Sequence, residues 1–163
     1  MIDAYFRRPI IWDYFISTIV AGTVFLLESH NIISLPKEGY VYSIISDLST
    51  VSLTMVGFTL TLVTVLISFK SSSKVNKNQI KDTDSVFDIF FVSQLYFDTI
   101  KHLKNGIKSL TLIALIGYLL KLIIDHINYE VLFVFCFISI TIILMTVARF
   151  LLILSAIIKI QQS

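Results

Sequence analysis

The chain has 163 residues, of which 56% are hydrophobic and only 15% charged, against roughly a quarter charged in an ordinary soluble domain. That excludes a soluble globular domain, and with 5 glycines and 2 prolines it also excludes collagen-like and low-complexity disordered chains. The single cysteine, Cys136, rules out an intramolecular disulfide framework and a Cys-based zinc cluster, and a net charge of +2 is so small that the placement of the charges says more than their sum. The composition predicts a single-domain, all-α integral membrane protein.

A helix needs about 20 apolar residues to cross a hydrocarbon core of about 30 Å, and four runs qualify. The first covers 10–27 and is interrupted only by Asp13. It follows Arg7 and Arg8, but no small-residue cleavage site precedes the polar stretch at 28–31, so it reads as a retained span and not a signal peptide. The second is placed at 50–69, behind a more polar lead-in from Val41 that contains Asp47. The third covers 107–124. The fourth covers 131–150, and its apolar character continues to Ile158 past Arg149, longer than a bilayer requires. Continuous apolar runs are not the alternating pattern of barrel strands.

The cations set the expected orientation. With both termini on one side, Arg7, Arg8, Lys70, Lys74, Lys77, Lys81, Lys101, Lys104, Lys108, Arg149 and Lys159 share a face, which is 11 of the 13, and only Lys37 and Lys121 lie toward the other. The positive-inside rule then puts both termini and the 70–106 connector in the cytoplasm, as in a bacterial inner-membrane protein, with outer turns at 28–40 and 125–130. The expected layout is two helical hairpins joined by a cytoplasmic segment.

Within that connector, residues 70–83 form a polar, cationic linker. Residues 84–105 read as an amphipathic helix, with Asp84, Asp88, Gln94, Asp98, Lys101 and Asn105 on one side and Val86, Phe87, Phe90, Phe97, Ile100 and Leu103 on the other. The lysines at 70, 74, 77, 81, 101, 104 and 108 have two readings. One is positive-inside bias with attraction to anionic lipid, and the other is a docking site for a nucleic acid or nucleotide, with Phe87, Phe90, Phe91, Tyr96 and Phe97 close enough to stack on bases or to serve as packing anchors.

The second span carries an ordered set of small and hydroxylated residues. Ser46, Thr50, Thr54, Gly57, Thr61, Thr64 and Ser68 recur every three or four positions and so keep to one helix face. Such a stripe serves close helix packing in lipid or lines a pore, with Val56, Leu60 and Val63 as neighbouring constrictions. Asp47 beside it reads either as an acidic ring at an outer mouth or as a residue in outer water. Asp13 and Arg149, the ionisable groups nearest to hydrocarbon, are expected as an intramembrane ion pair, with snorkelling of Arg149 as the competing reading.

Catalytic chemistry is not expected. His30, His102 and His126 are dispersed, no nucleophile elbow, zinc motif or Gly-rich phosphate loop occurs, and Cys136 reads as a packing residue, so neither cofactor nor metal is anticipated. Four short spans leave no room for a pore within one chain, so an active protein would be a homo-oligomer.

The two-hairpin layout, the segment SerLeuThrMetValGlyPheThrLeuThr at 52–61 and the connector lysines resemble the small multi-span effectors of bacterial anti-phage defence systems, in particular the Hailong-type channel component. The resemblance covers the whole chain and lies in its architecture. It implies an oligomeric channel, gated by a nucleic-acid or nucleotide ligand on the cytoplasmic face, that depolarises the membrane and works beside a nucleotidyltransferase whose product is that ligand. Without the resemblance, the same residues also fit a non-conducting anchor or sensor that recruits a partner through the 84–105 helix.

Overall fold

The computed structural model describes residues 8–33, 36–72, 90–123 and 126–162, and these fold as four long helices with no strand among them. They are α1 (Pro9–Ser29), α2 (Glu38–Ser72), α3 (Gln94–Leu122) and α4 (Tyr129–Gln162). Each contains a stretch long and apolar enough to cross a membrane. Arg7, Lys74, Lys77, Lys81 and the 84–89 part of the expected amphipathic helix lie outside the described residues.

The helix ends follow local chemistry. α1 starts on Pro9, whose fixed φ and missing N–H suit the first helical position. It ends at Ser29 with His30 as C-cap, and Asn31 just beyond takes a left-handed φ of 56°. The Ile32 amide donates to the Leu27 carbonyl at 3.0 Å and the Asn31 amide to the Glu28 carbonyl at 2.8 Å, the bond pair of a Schellman motif. The following loop is tied to the start of α4, because the Tyr129 hydroxyl donates to the Pro36 carbonyl.

Two boundaries differ from expectation. α2 begins at Glu38, so the polar lead-in is helical and supplies the buried residues Val41, Ile45 and Ser49. The amphipathic stretch is not separate from the third span: a break at Ser93, in extended backbone, is followed by one unbroken helix from Gln94 to Leu122. Its lower turns bury Tyr96, Thr99, His102 and Leu103, while Phe97, expected on the apolar side, is exposed.

The helices joined by the short turns, expected as hairpins, are not the pairs that pack most closely. α2 packs chiefly on α3 and α1 chiefly on α4, α4 also touches α2 and α3, and the consecutive helices α1 and α2 barely meet. Small residues allow this. α1 buries Pro9, Asp13, Ser17 and Ala21, a narrow face of period four. Gly117 of α3 sits against Ser49 and Ile45 of α2, where any Cβ would collide with the serine hydroxyl. Gly106 lies under Phe150 and Thr146 of α4, where a Cβ would come within 2.6 Å of the Phe150 ring. Two apolar clusters fill the rest, one around Ile45, Leu132 and Cys136 and one around Val56, Leu110 and Ile142.

Candidate functional site

The expected pore-lining residues Thr50, Thr54, Gly57, Thr61, Thr64 and Ser68 are all exposed. The face of α2 that enters the bundle is Val41, Ile45, Ser49, Ser52, Val56 and Thr59, and at 100° per residue the hydroxyl stripe points about 145° away from it. The stripe is therefore on the outside of the four-helix bundle. Its threonines satisfy themselves within the helix: Thr50, Thr54 and Thr64 each donate at 2.9 Å, and Thr61 at 3.0 Å, to the carbonyl four residues earlier. Each keeps lone pairs facing outward. A Cβ on Gly57 would meet nothing within 4 Å, so the middle of the stripe is open.

Of the three residues considered as constrictions beside it, Val56 belongs to the bundle core at 8% exposure, while Leu60 is exposed and Val63 half-buried. Val56 therefore cannot narrow a pore on the opposite side of the helix. At the far end Asp47 is exposed, and Ser46 accepts a hydrogen bond at 3.2 Å from the Lys121 ammonium of α3.

Asp13 and Arg149 form a salt bridge between α1 and α4, with both side chains sealed from solvent. The geometry that brings them together is the α1–α4 packing: Asp13 is one turn into α1, on the same face as Ser17 and Ala21. The bundle interior around this level is unusually polar, with Thr59, His102, Ser109 and Thr146 buried from three different helices.

The lysines divide into three groups. Lys74, Lys77 and Lys81 lie outside the described residues. Lys70, on the last turn of α2, stands 3.9 Å from the Phe97 ring centre and 4.5 Å from that of Tyr96, a pair of cation–π contacts. Lys101, Lys104 and Lys108 are exposed on one face of α3. The aromatics proposed for base stacking are mostly committed elsewhere. Phe90, Phe91 and Tyr96 are buried against one another at ring separations of 5.3 to 6.0 Å, packed with Leu66 of α2 and Ile100. That cluster joins the lower ends of α2 and α3 and leaves Phe97 as the exposed ring. Phe87 is outside the described residues.

Sequence reasoning did not find the inward hydroxyls. Ser49, Ser52, Thr59, Ser109, Ser139 and Thr146 are all buried, and the three on α2 share one face with Val41, Ile45 and Val56. Cys136 is buried in the upper core. Among the described residues no group of His, Cys, Asp and Glu is arranged to hold a metal ion. Comparison of the chain with protein-family models, curated proteins and solved structures returns no match.

Proposed function

We propose that the protein is an oligomeric channel in which α2 of each copy turns its hydroxyl stripe to a shared axis. The observation that carries this reading is the direction of the stripe. A bundle that buries serines and a threonine on one face of α2 leaves a second, more regular set on the opposite face over 18 residue steps, from Thr50 to Ser68. At 1.5 Å per residue that is about 27 Å, close to the thickness of a hydrocarbon core. Lipid gains nothing from outward hydroxyl lone pairs, whereas water or a facing copy does.

In this reading Asp47 contributes a carboxylate ring at one mouth, both termini lie in the cytoplasm of a bacterial inner membrane, and Lys70, Lys74, Lys77 and Lys81 receive a nucleic-acid or nucleotide ligand that gates the pore. The likeness to anti-phage effectors supplies the role, depolarisation during infection, and the partner, an operon-encoded nucleotidyltransferase.

One observation favours a second reading. Because Thr50, Thr54, Thr61 and Thr64 already hydrogen-bond their own helix, the stripe also suits a dry seam between copies of a non-conducting anchor or sensor. Flux from liposomes containing the purified protein separates the two. A channel conducts, changes its flux when co-purifying nucleic acid is digested by nuclease, and loses conduction by at least ten-fold in Thr54→Leu/Thr61→Leu/Thr64→Leu while still oligomerising. Absence of flux in the presence of the nucleotidyltransferase and its product would leave the anchor.

A further inference from the structure

We infer that the lower, exposed face of α3 is a binding site for acidic phospholipid headgroups, built from Lys101, Lys104 and Lys108. This inference is independent of whether the protein conducts.

The argument begins with the continuity of α3. Because Gln94–Leu122 is a single helix, Lys101, Lys104 and Lys108 are not on a cytoplasmic element that could swing free, but on the stem of a membrane span. On that helix the three lysines and the residues above them, Leu112, Leu115 and Leu119, recur every three or four positions and fall within an arc of about 80°. The leucines are 46%, 58% and 59% exposed, so this face of the span points away from the other helices of the chain. The lysines continue the same face downward and are exposed with it.

Depth makes the match closer. The interval from Lys108 to Lys121 is 13 residues, about 20 Å of helix, which is short against a hydrocarbon core of about 30 Å. Lys121 at the other end is engaged with Ser46 of α2. Lys101, Lys104 and Lys108 thus lie toward the end of the span away from Lys121, where long side chains extend along the helix toward the phosphate level. Lys104 and Lys101 follow about 6 Å and about 10 Å lower, across the headgroup zone. At the foot of the stripe, the Lys70 ammonium of α2 is engaged over the Phe97 ring and is not counted in the site. Asp98, half-buried at the edge of the arc and hydrogen-bonded at 3.4 Å by the Gln94 amide, is the acidic side chain nearby on α3. Three exposed cations, with one half-buried carboxylate beside them, on the continuation of an outward apolar face complement a lipid anion held by the bilayer itself.

The test uses the full chain reconstituted in phosphatidylcholine vesicles doped with spin-labelled phosphatidylglycerol or spin-labelled phosphatidylcholine, reading the motionally restricted lipid fraction. A lysine near an anionic surface corresponds to about a five-fold preference. The wild type should prefer phosphatidylglycerol by at least that factor. Lys101→Gln/Lys104→Gln/Lys108→Gln should bring the preference close to one, and raised salt should weaken it. Lys37→Gln/Lys121→Gln, at the other end, should leave it intact, and Lys101→Arg/Lys104→Arg/Lys108→Arg should retain it. A glutamine triple variant that keeps the wild-type preference for phosphatidylglycerol overturns the site. So does a glutamine variant that keeps its lipid preference but loses binding of inorganic polyphosphate, which would mark the face as a dock for a soluble polyanion. If the triple variant cannot be reconstituted, the single Lys104→Gln variant carries the same comparison. Conduction is not part of the readout, so failure of the channel reading and failure of this site are distinguishable.

Discussion

At the scale of single residues the most consequential pair is Asp13 and Arg149, because two charges enclosed in a helix bundle are costly unless they meet. Their salt bridge fastens α1, the helix with the smallest buried face, to α4. Removing one partner leaves the other as an uncompensated charge, a loss of about 3–5 kcal/mol, whereas replacing both with apolar residues removes the desolvation cost along with the attraction. Arg149→Leu and Asp13→Leu should therefore each lower the melting temperature in detergent substantially, and the double variant should lie closer to wild type than either. Additive losses in that cycle would mean that the two side chains are not energetically coupled. The pair was legible in the sequence because charges stand out against an apolar background at matching depths. The buried hydroxyls of Ser52, Ser139 and Thr146 were not, because a serine in a membrane helix has the same appearance whether it faces in or out.

At the scale of elements, two glycines on neighbouring helices have opposite surroundings and should behave differently. Gly117 is where α3 meets Ser49 and Ile45 of α2, the most extensive helix pairing in the molecule, while Gly57 faces open space in the middle of the hydroxyl stripe. Gly117→Leu should force α2 from α3 and cost at least the ~1–3 kcal/mol typical of overpacking, seen as lost thermal stability of the isolated chain. Gly57→Leu should leave that stability within error but shift the oligomeric state, measured by native mass spectrometry or light scattering in detergent. Should Gly57→Leu leave the assembly unchanged, the stripe is not an interface between copies. The same elements show where sequence reading stopped. The four spans were legible from apolar run length. The union of the amphipathic stretch with the third span was not, since both have a period of 3.6 and the boundary expected near Gly106 was only a small residue making room for Phe150. Nor could the periodicity of α2 decide which of its two regular polar faces, Ser49–Ser52–Thr59 or Thr50–Thr54–Thr61, turned inward. That choice depends on the partner helices, through Gly117, and partners are not encoded in the helix that faces them.

At the scale of the whole molecule, the helix lengths exceed what a bilayer covers. α2, α3 and α4 have 35, 29 and 34 residues, about 52, 44 and 51 Å, while α1 with 21 residues is about 31 Å. Aligning α1 with the hydrocarbon places the Asp13–Arg149 pair near one interface, and α4 then runs on past Arg149 while α3 starts well before Gly106, so the surplus length projects on the side that carries Lys70, Lys101 and Lys104. Exposed Trp12 at that interface and exposed Tyr40 and Tyr118 toward the opposite one fit the aromatic belts that flank a hydrocarbon core. The positive-inside rule predicts a cytoplasmic placement for the lysine-bearing projection. A membrane-impermeant maleimide tests the assignment, using Cys136→Ala as a background because the native thiol is buried at 4% exposure. In inverted vesicles Lys101→Cys should be labelled and Lys37→Cys protected, and in right-side-out spheroplasts the pattern should reverse. Labelling of both from one side would break the four-span topology, and a reversed pattern would place the lysines and any ligand they bind outside the cell.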